Sequence, residues 1–177
     1  MEFDFKKDQI LNAAYDYWRS KCNGREIPRR RDIEPTEIPR LLPNIQITEL
    51  EEGGKRIRYR LAGSVIVDAY GSELKDKYFD QVFTGERLKF AEENYRVMCE
   101  RKRPVLVVNR YHSARNAPLV CHRLIMPLSD DGKTVNQCLT AMSFEFPSES
   151  DLPISHWSEN SADFDVAMSH CEAIEVE

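Results

Sequence analysis

Apolar and polar residues alternate through Ile57-Arg58-Tyr59-Arg60-Leu61-Ala62, with Ile57, Tyr59 and Leu61 on one face and Arg58 and Arg60 on the other. Period two is the mark of a half-buried strand. Gly63-Ser64 ends the alternation, and Val65, Ile66, Ala69 and Tyr70 then recur at helical spacing as far as Gly71, a residue suited to a left-handed cap. A strand therefore turns into a short helix. Upstream, Asn44 to Leu50 alternates Ile45 and Ile47 against Gln46 and Thr48, and Glu51-Glu52-Gly53-Gly54 returns the chain to Ile57 as a hairpin.

The same periodicities divide the rest of the chain. Gln9 to Cys22 forms an amphipathic helix whose stripe is Ile10, Ala13, Ala14, Tyr17 and Trp18, with Asp8, Asn12, Asp16 and Arg19 opposite and Gly24 as the stop. Its stripe packs either on the domain's own sheet or on the same helix of a second subunit. Pro28, Pro35, Pro39 and Pro43 exclude long regular structure from Arg25 to Pro43, apart from single helical turns. Phe79, Val82 and Phe83 suggest further helical turns. Gly85 to Lys102 is the longest helix, striped by Leu88, Ala91, Tyr95 and Met98. Three strands follow, Pro104 to Ser113, Leu119 to Leu128 and Val135 to Phe146, the last two joined through the hairpin signal Asp131-Gly132.

Strands grouped at both ends with helices between them predict an α+β domain, a five-stranded antiparallel sheet covered on one face by the inserted helices. It spans residues 25–146, with the N-terminal helix in 1–24 and an acidic, partly ordered tail in 147–177 pinned by Trp157. Composition sharpens the picture only by exclusion. With 41% apolar and 31% charged residues, the 177-residue chain can bury a core of its own. A net charge of -5 argues against a nucleic-acid binder, and the Arg29-Arg30-Arg31 run is neutralised by Asp32, Glu34 and Glu37. No stretch approaches the roughly 20 apolar residues of a membrane span, so the expectation is a cytoplasmic protein without a membrane partner. The five cysteines, Cys22, Cys99, Cys121, Cys138 and Cys171, contain no C-x-x-C pair and read as reduced thiols.

Several blocks resemble a known family in combination: Tyr17-Trp18-Arg19, Ile38-Pro39-Arg40-Leu41-Leu42-Pro43-Asn44, Arg58-Tyr59-Arg60-Leu61-Ala62-Gly63, Tyr70-Gly71 before Leu74, and Leu124 to Gly132. They are similar to the small bacterial single-domain PAS family, formerly a domain of unknown function, over about Tyr15 to Phe146. The resemblance implies a sensory or protein-interaction module. It implies no particular ligand.

Within such a fold, the concave sheet face and the inserted helices enclose a pocket. Periods of two and 3.6 place Tyr59, Leu61, Tyr70, Tyr95, His122, Leu124, Met126, Thr140 and Met142 along it, where they either contact a small apolar ligand or fill the core. Ile10, Ala14, Tyr17 and Trp18 are the expected interface of a homodimer, and a signalling protein is the expected further partner. His112 and His122 fall on neighbouring strands with no third ligand spaced near them, so no metal site is expected. Haem-binding PAS relatives usually supply a histidine from the long helix, and flavin photosensors a reactive cysteine from the helical insertion. Both are missing here, so no cofactor is expected. The reading is a module without catalytic activity. Its rivals are a steroid-isomerase-like enzyme using Asp68 with Tyr70, or Asp80, as a base in an apolar cavity, and a carrier of hydrophobic ligands.

Overall fold

Asp8 starts the first helix, α1 (Gln9–Cys22), by accepting hydrogen bonds from the Ile10 and Leu11 amides, both at 2.9 Å. Asn23 ends it in the left-handed conformation, at φ 48°. The computed structural model describes residues 4–112, 118–146 and 170–173. After α1, three single 3-10 turns carry the proline-rich connector to β1 (Ile45–Glu51) and β2 (Arg56–Ala62). Three helices come next, α2 (Ser64–Tyr70), α3 (Phe79–Val82) and α4 (Gly85–Arg101). The strands β3 (Val105–His112), β4 (Pro118–Ser129) and β5 (Val135–Glu145) complete the expected five.

The sheet is antiparallel throughout and runs β2-β1-β5-β4-β3. A sixth strand, β6 (His170–Ala173), adds to β3 with Ala173 opposite Val105. Nothing in the alternation of the tail announced that strand. Trp157, expected to pin the tail, lies outside the described residues.

Helices cover both faces of the sheet, where the sequence reading expected one. The inner face packs on α2, α3 and α4 through Tyr59, Ile66, Phe79, Tyr95, Ile125 and Met142. The outer face packs on α1 and the connector through Leu11, Trp18, Ile33, Ile47, Leu124 and Leu139. Strands buried on both faces lose the clean alternation that marks a half-solvated sheet. The facing of individual residues is therefore not marked by the sequence pattern.

Two blocks of the motif are explained by one close approach. A Cβ on Gly63 would lie 2.2 Å from the Leu42 carbonyl oxygen and 2.3 Å from that of Pro43, so only glycine lets the Leu-Leu-Pro turn cross the end of β2. The Gly63 amide donates to the Ile45 carbonyl at 2.8 Å and fixes the crossing. At the opposite end, Asp131 holds the β4–β5 turn by accepting from the Lys133 and Thr134 amides at 2.7 Å and from the Ser129 hydroxyl at 2.8 Å. These bonds keep its carboxyl well below the usual carboxylate range.

Candidate functional site

Polar side chains are buried among apolar ones on the inner face. Gln46 and Thr48 project inward from β1, and the register sets Gln46 directly beside Thr140 of β5. Above them α4 lays down its sheet-facing stripe, Ala91, Asn94, Tyr95 and Met98. The Tyr95 hydroxyl, on a side chain only 2% exposed, accepts from Gln46 Nε2 and Thr48 Oγ1 at 3.3 Å each and lies 3.5 Å from Thr140 Oγ1. Burial raises its pKa well above that of a free phenol, so it stays protonated.

An aromatic chain extends from this hydroxyl cluster. Tyr95 meets Phe79 edge-on at 5.1 Å between centroids, Phe79 lies 4.8 Å from Tyr59 and 5.6 Å from Phe83, and Phe83 lies 5.9 Å from Tyr70. The chain links β2, α3, α4 and α2. At its far end the buried Arg123 of β4 donates from Nη2 to the Tyr70 hydroxyl at 3.2 Å. Tyr59, 1% exposed, is likewise held protonated, chiefly by burial.

Three amides in the buried layers keep unused hydrogen-bonding capacity. Asn94 is 0% exposed, and neither its nitrogen nor its oxygen has a partner among the described residues. The buried oxygens Gln46 Oε1 and Asn109 Oδ1 are likewise unpartnered among the described residues. Such groups are uncommon in folded interiors, and each costs about 1–3 kcal/mol while unmatched. Gln46, its oxygen unmatched, also meets the Tyr95 hydroxyl, so donor and acceptor capacity sit side by side in an apolar layer.

The structure brings Tyr59, Tyr70, Tyr95, Thr140 and Met142 together on the inner face, and it moves four other expected residues away from it. Leu61 is 37% exposed and points outward, because a bulge in β2 sets Ile47 opposite Leu61 but Thr48 opposite Tyr59. The extra residue, Arg60, reverses the alternation, so Ala62 takes the inward position. His122, Leu124 and Met126 belong to the outer face, with Cys121, Arg123 and Ile125 facing inward. A one-residue error in facing moved the whole set across the sheet.

His122 is buried, with Nδ1 3.6 Å from Glu145 Oε1. Burial lowers its pKa against the pull of Glu145 and Asp8, while Arg110 adds to the lowering. It is not a cross-strand partner of His112, since the register puts His122 opposite Val108 and His112 opposite Pro118.

The expected interface residues are also redistributed. Trp18 and Ala14 are buried in the chain's own outer layer, and the Trp18 indole donates to the Pro127 carbonyl at 2.8 Å. Ile10 and Tyr17 are half-buried, and the stripe that packs is Leu11, Ala14, Tyr15 and Trp18. Tyr17 donates to Glu37 and accepts from the Glu34 amide, both at 2.8 Å, which fastens α1 to the connector. Burial and Glu37 push its hydroxyl up to about 12. So the stripe lands on its own sheet, and Ala14 and Trp18 are not available to a second copy.

Sequence reasoning missed Gln46, Thr48, Asn94 and Arg123, because it assigned polar positions to solvent. The carboxylates of the enzyme reading, Asp68 and Asp80, are both exposed, so neither sits in an apolar cavity. Burial raises the Cys138 thiol well above its ordinary pKa and pushes Cys99 to about 11, leaving both unreactive near neutrality. Among the described residues no helix is long and apolar enough to cross a membrane.

Helices inserted between the second and third strands of an antiparallel sheet, closed over a buried polar cluster, make an α+β fold of the PAS type. The chain belongs to the PAS domain family, whose profile matches residues 6–143. That match takes in α1 as well as β1 to β4 and most of β5. No curated protein matches the chain. Among solved structures, the LOV protein of Rhodobacter sphaeroides is 13% identical, with 66% of this chain and 70% of that one covered at a TM-score of 0.47. A light-oxygen-voltage domain studied with a flavin analogue is 18% identical, with 66% and 85% covered at a TM-score of 0.45. The blue-light photoreceptor Aureochrome1 LOV in its light state is 14% identical, with 66% and 90% covered at a TM-score of 0.43.

Proposed function

We propose that this PAS-domain chain is a sensory module that holds a small, largely apolar molecule with a hydrogen-bonding group between the inner sheet face and α2, α3 and α4. Tyr59, Tyr70, Tyr95 and Met142 contact the molecule, and the state of the site is passed on by binding another protein rather than by catalysis. The observation that carries this reading is Asn94, fully buried on the sheet-facing stripe of α4 with both amide atoms unmatched. An empty core gains nothing from such a residue, whereas a ligand with a carbonyl or hydroxyl group gains orientation from it. Any second copy of the chain would use surfaces other than Ala14 and Trp18.

The test compares thermal unfolding of the protein as purified with that of protein stripped by unfolding and refolding. A ligand bound to the native state stabilises by RT ln(1 + [L]/Kd), about 2.7 kcal/mol at a hundredfold excess over Kd. Stripping should therefore lower the midpoint of the native chain and leave that of Asn94→Leu unchanged. Equal midpoints before and after stripping in the native chain would count against the reading.

A further inference from the structure

A second recess lies away from the inner face, where α1 and α4 both end. Its volume is about 410 Å³, and its walls include Arg19, Arg25, Lys102 and Arg103, with Glu26 as the one carboxylate and Trp18 among the apolar lining. Both helices stop there in the same way, since Asn23 and Lys102 adopt left-handed conformations at φ 48° and φ 51°. Arg25 is held in place by an ion pair with Asp32 and by the Lys21 carbonyl, which accepts from its Nη2 at 3.1 Å. Arg19 donates to the Tyr15 hydroxyl at 3.3 Å. With Arg25 neutralised by Asp32, the recess still sets three further cations, Arg19, Lys102 and Arg103, against the one carboxylate Glu26. That excess more than offsets the negative ends of the two helices.

We propose that this recess binds the phosphate or pyrophosphate group of a small molecule. Guanidinium forks match phosphate oxygens in pairs, and Arg19 and Arg103 with Lys102 set around a concavity favour a compact polyanion over a single carboxylate, while Arg25, tied to Asp32, shapes the wall. The cations line a recess rather than a stripe or a plane, which suits a free small molecule better than a nucleic-acid backbone or a membrane surface. The site also joins the two layers. Arg19 and Arg25 belong to α1 and the turn after it, on the outer face, and Lys102 and Arg103 follow α4, on the inner face. A bound phosphate therefore fastens α1 to the end of the helix that carries Asn94 and Tyr95. This inference does not depend on an inner-face ligand.

The test is a nuclear magnetic resonance titration of the full chain with sodium pyrophosphate, with sodium chloride at matched ionic strength as control. The expected result is saturable movement of the Asn23, Gly24, Lys102 and Arg103 amide signals. Combining Arg19→Ala with Arg103→Ala should weaken binding at least about tenfold, the factor that corresponds to 1.4 kcal/mol. Lys89→Ala, on the exposed face of α4, should not weaken it. Equal movement with chloride, no saturation by about 1 mM, or equal loss from Lys89→Ala would overturn the proposal. So would sedimentation with phosphatidylglycerol vesicles by a chain that does not respond to pyrophosphate, since that would make the cations a membrane-facing patch.

Discussion

Replacing Trp18 separates a helix that completes its own domain from one that joins two copies. The indole is 2% exposed, stacks on Tyr15 at 6.3 Å between centroids and donates to the Pro127 carbonyl at 2.8 Å. Trp18→Ala removes a large buried ring and should cost about 3–5 kcal/mol, the range for aromatic truncation in a core. For a domain of this size that lowers the thermal midpoint by about 6–20 °C. Trp18→Phe keeps most of the apolar contact but leaves the Pro127 carbonyl unmatched, and should cost about 1–3 kcal/mol. Urea titration followed by far-ultraviolet circular dichroism, at two protein concentrations tenfold apart, measures both. The loss should be independent of concentration. A loss from Trp18→Ala below about 1 kcal/mol, or a midpoint that rises with protein concentration, would refute the intramolecular packing of α1.

Further outcomes follow from the same structure. Tyr59→Ala should cost about 3–5 kcal/mol and Leu61→Ser less than about 1 kcal/mol in urea titrations, because the bulge at Arg60 puts the two side chains on opposite faces. Gly63→Ala should cost about 1–3 kcal/mol or more, since the added methyl meets backbone oxygens that cannot step aside, and a neutral result would show that the Leu42–Pro43 crossing can open to admit it. Stability should be level above about pH 7 and fall as pH drops below the unfolded histidine value near 6.5, because the folded state resists protonating His122. His122→Gln should flatten that segment of the curve, while a further fall below about pH 4, where Asp131 and other carboxylates protonate, should remain. Purified protein should show no haem or flavin absorption and no stoichiometric metal, and a Soret band or an equivalent of zinc would overturn this.

Elements were legible in the sequence wherever a single period dominated. Gln9 to Cys22 matches the observed α1 end for end, and Gly85 to Lys102 exceeds α4 by one residue. The Asp-Gly turn, the β1–β2 hairpin and the switch from strand to helix at Gly63 were local signals, and they stand in the structure. Facing was less legible. Ile45 and Ile47 looked like the core face of β1, yet they pack on α1, and the polar Gln46 and Thr48 point into the inner layer. A sheet buried on both sides offers no solvent face to calibrate the alternation, so the residues of the candidate site looked like surface. The bulge at Arg60 could not be seen either, because alternation continued through it in the sequence while the backbone did not follow. Asn94 has no sequence signal at all, since an asparagine between Glu93 and Tyr95 reads as helix surface until the neighbouring stripe is placed on the sheet.

Native mass spectrometry of the full chain, purified without added cofactor and compared with Asn94→Leu, tests the ligand-holding inner site most directly. The native chain should carry an adduct of a small organic molecule that survives gentle ionisation, and Asn94→Leu, which has the same branching without the polar atoms, should appear at its bare mass. Both proteins at bare mass, with the leucine variant no less stable than the native chain, would mean that Asn94 is an unmatched amide in a closed core and that the inner face holds no ligand.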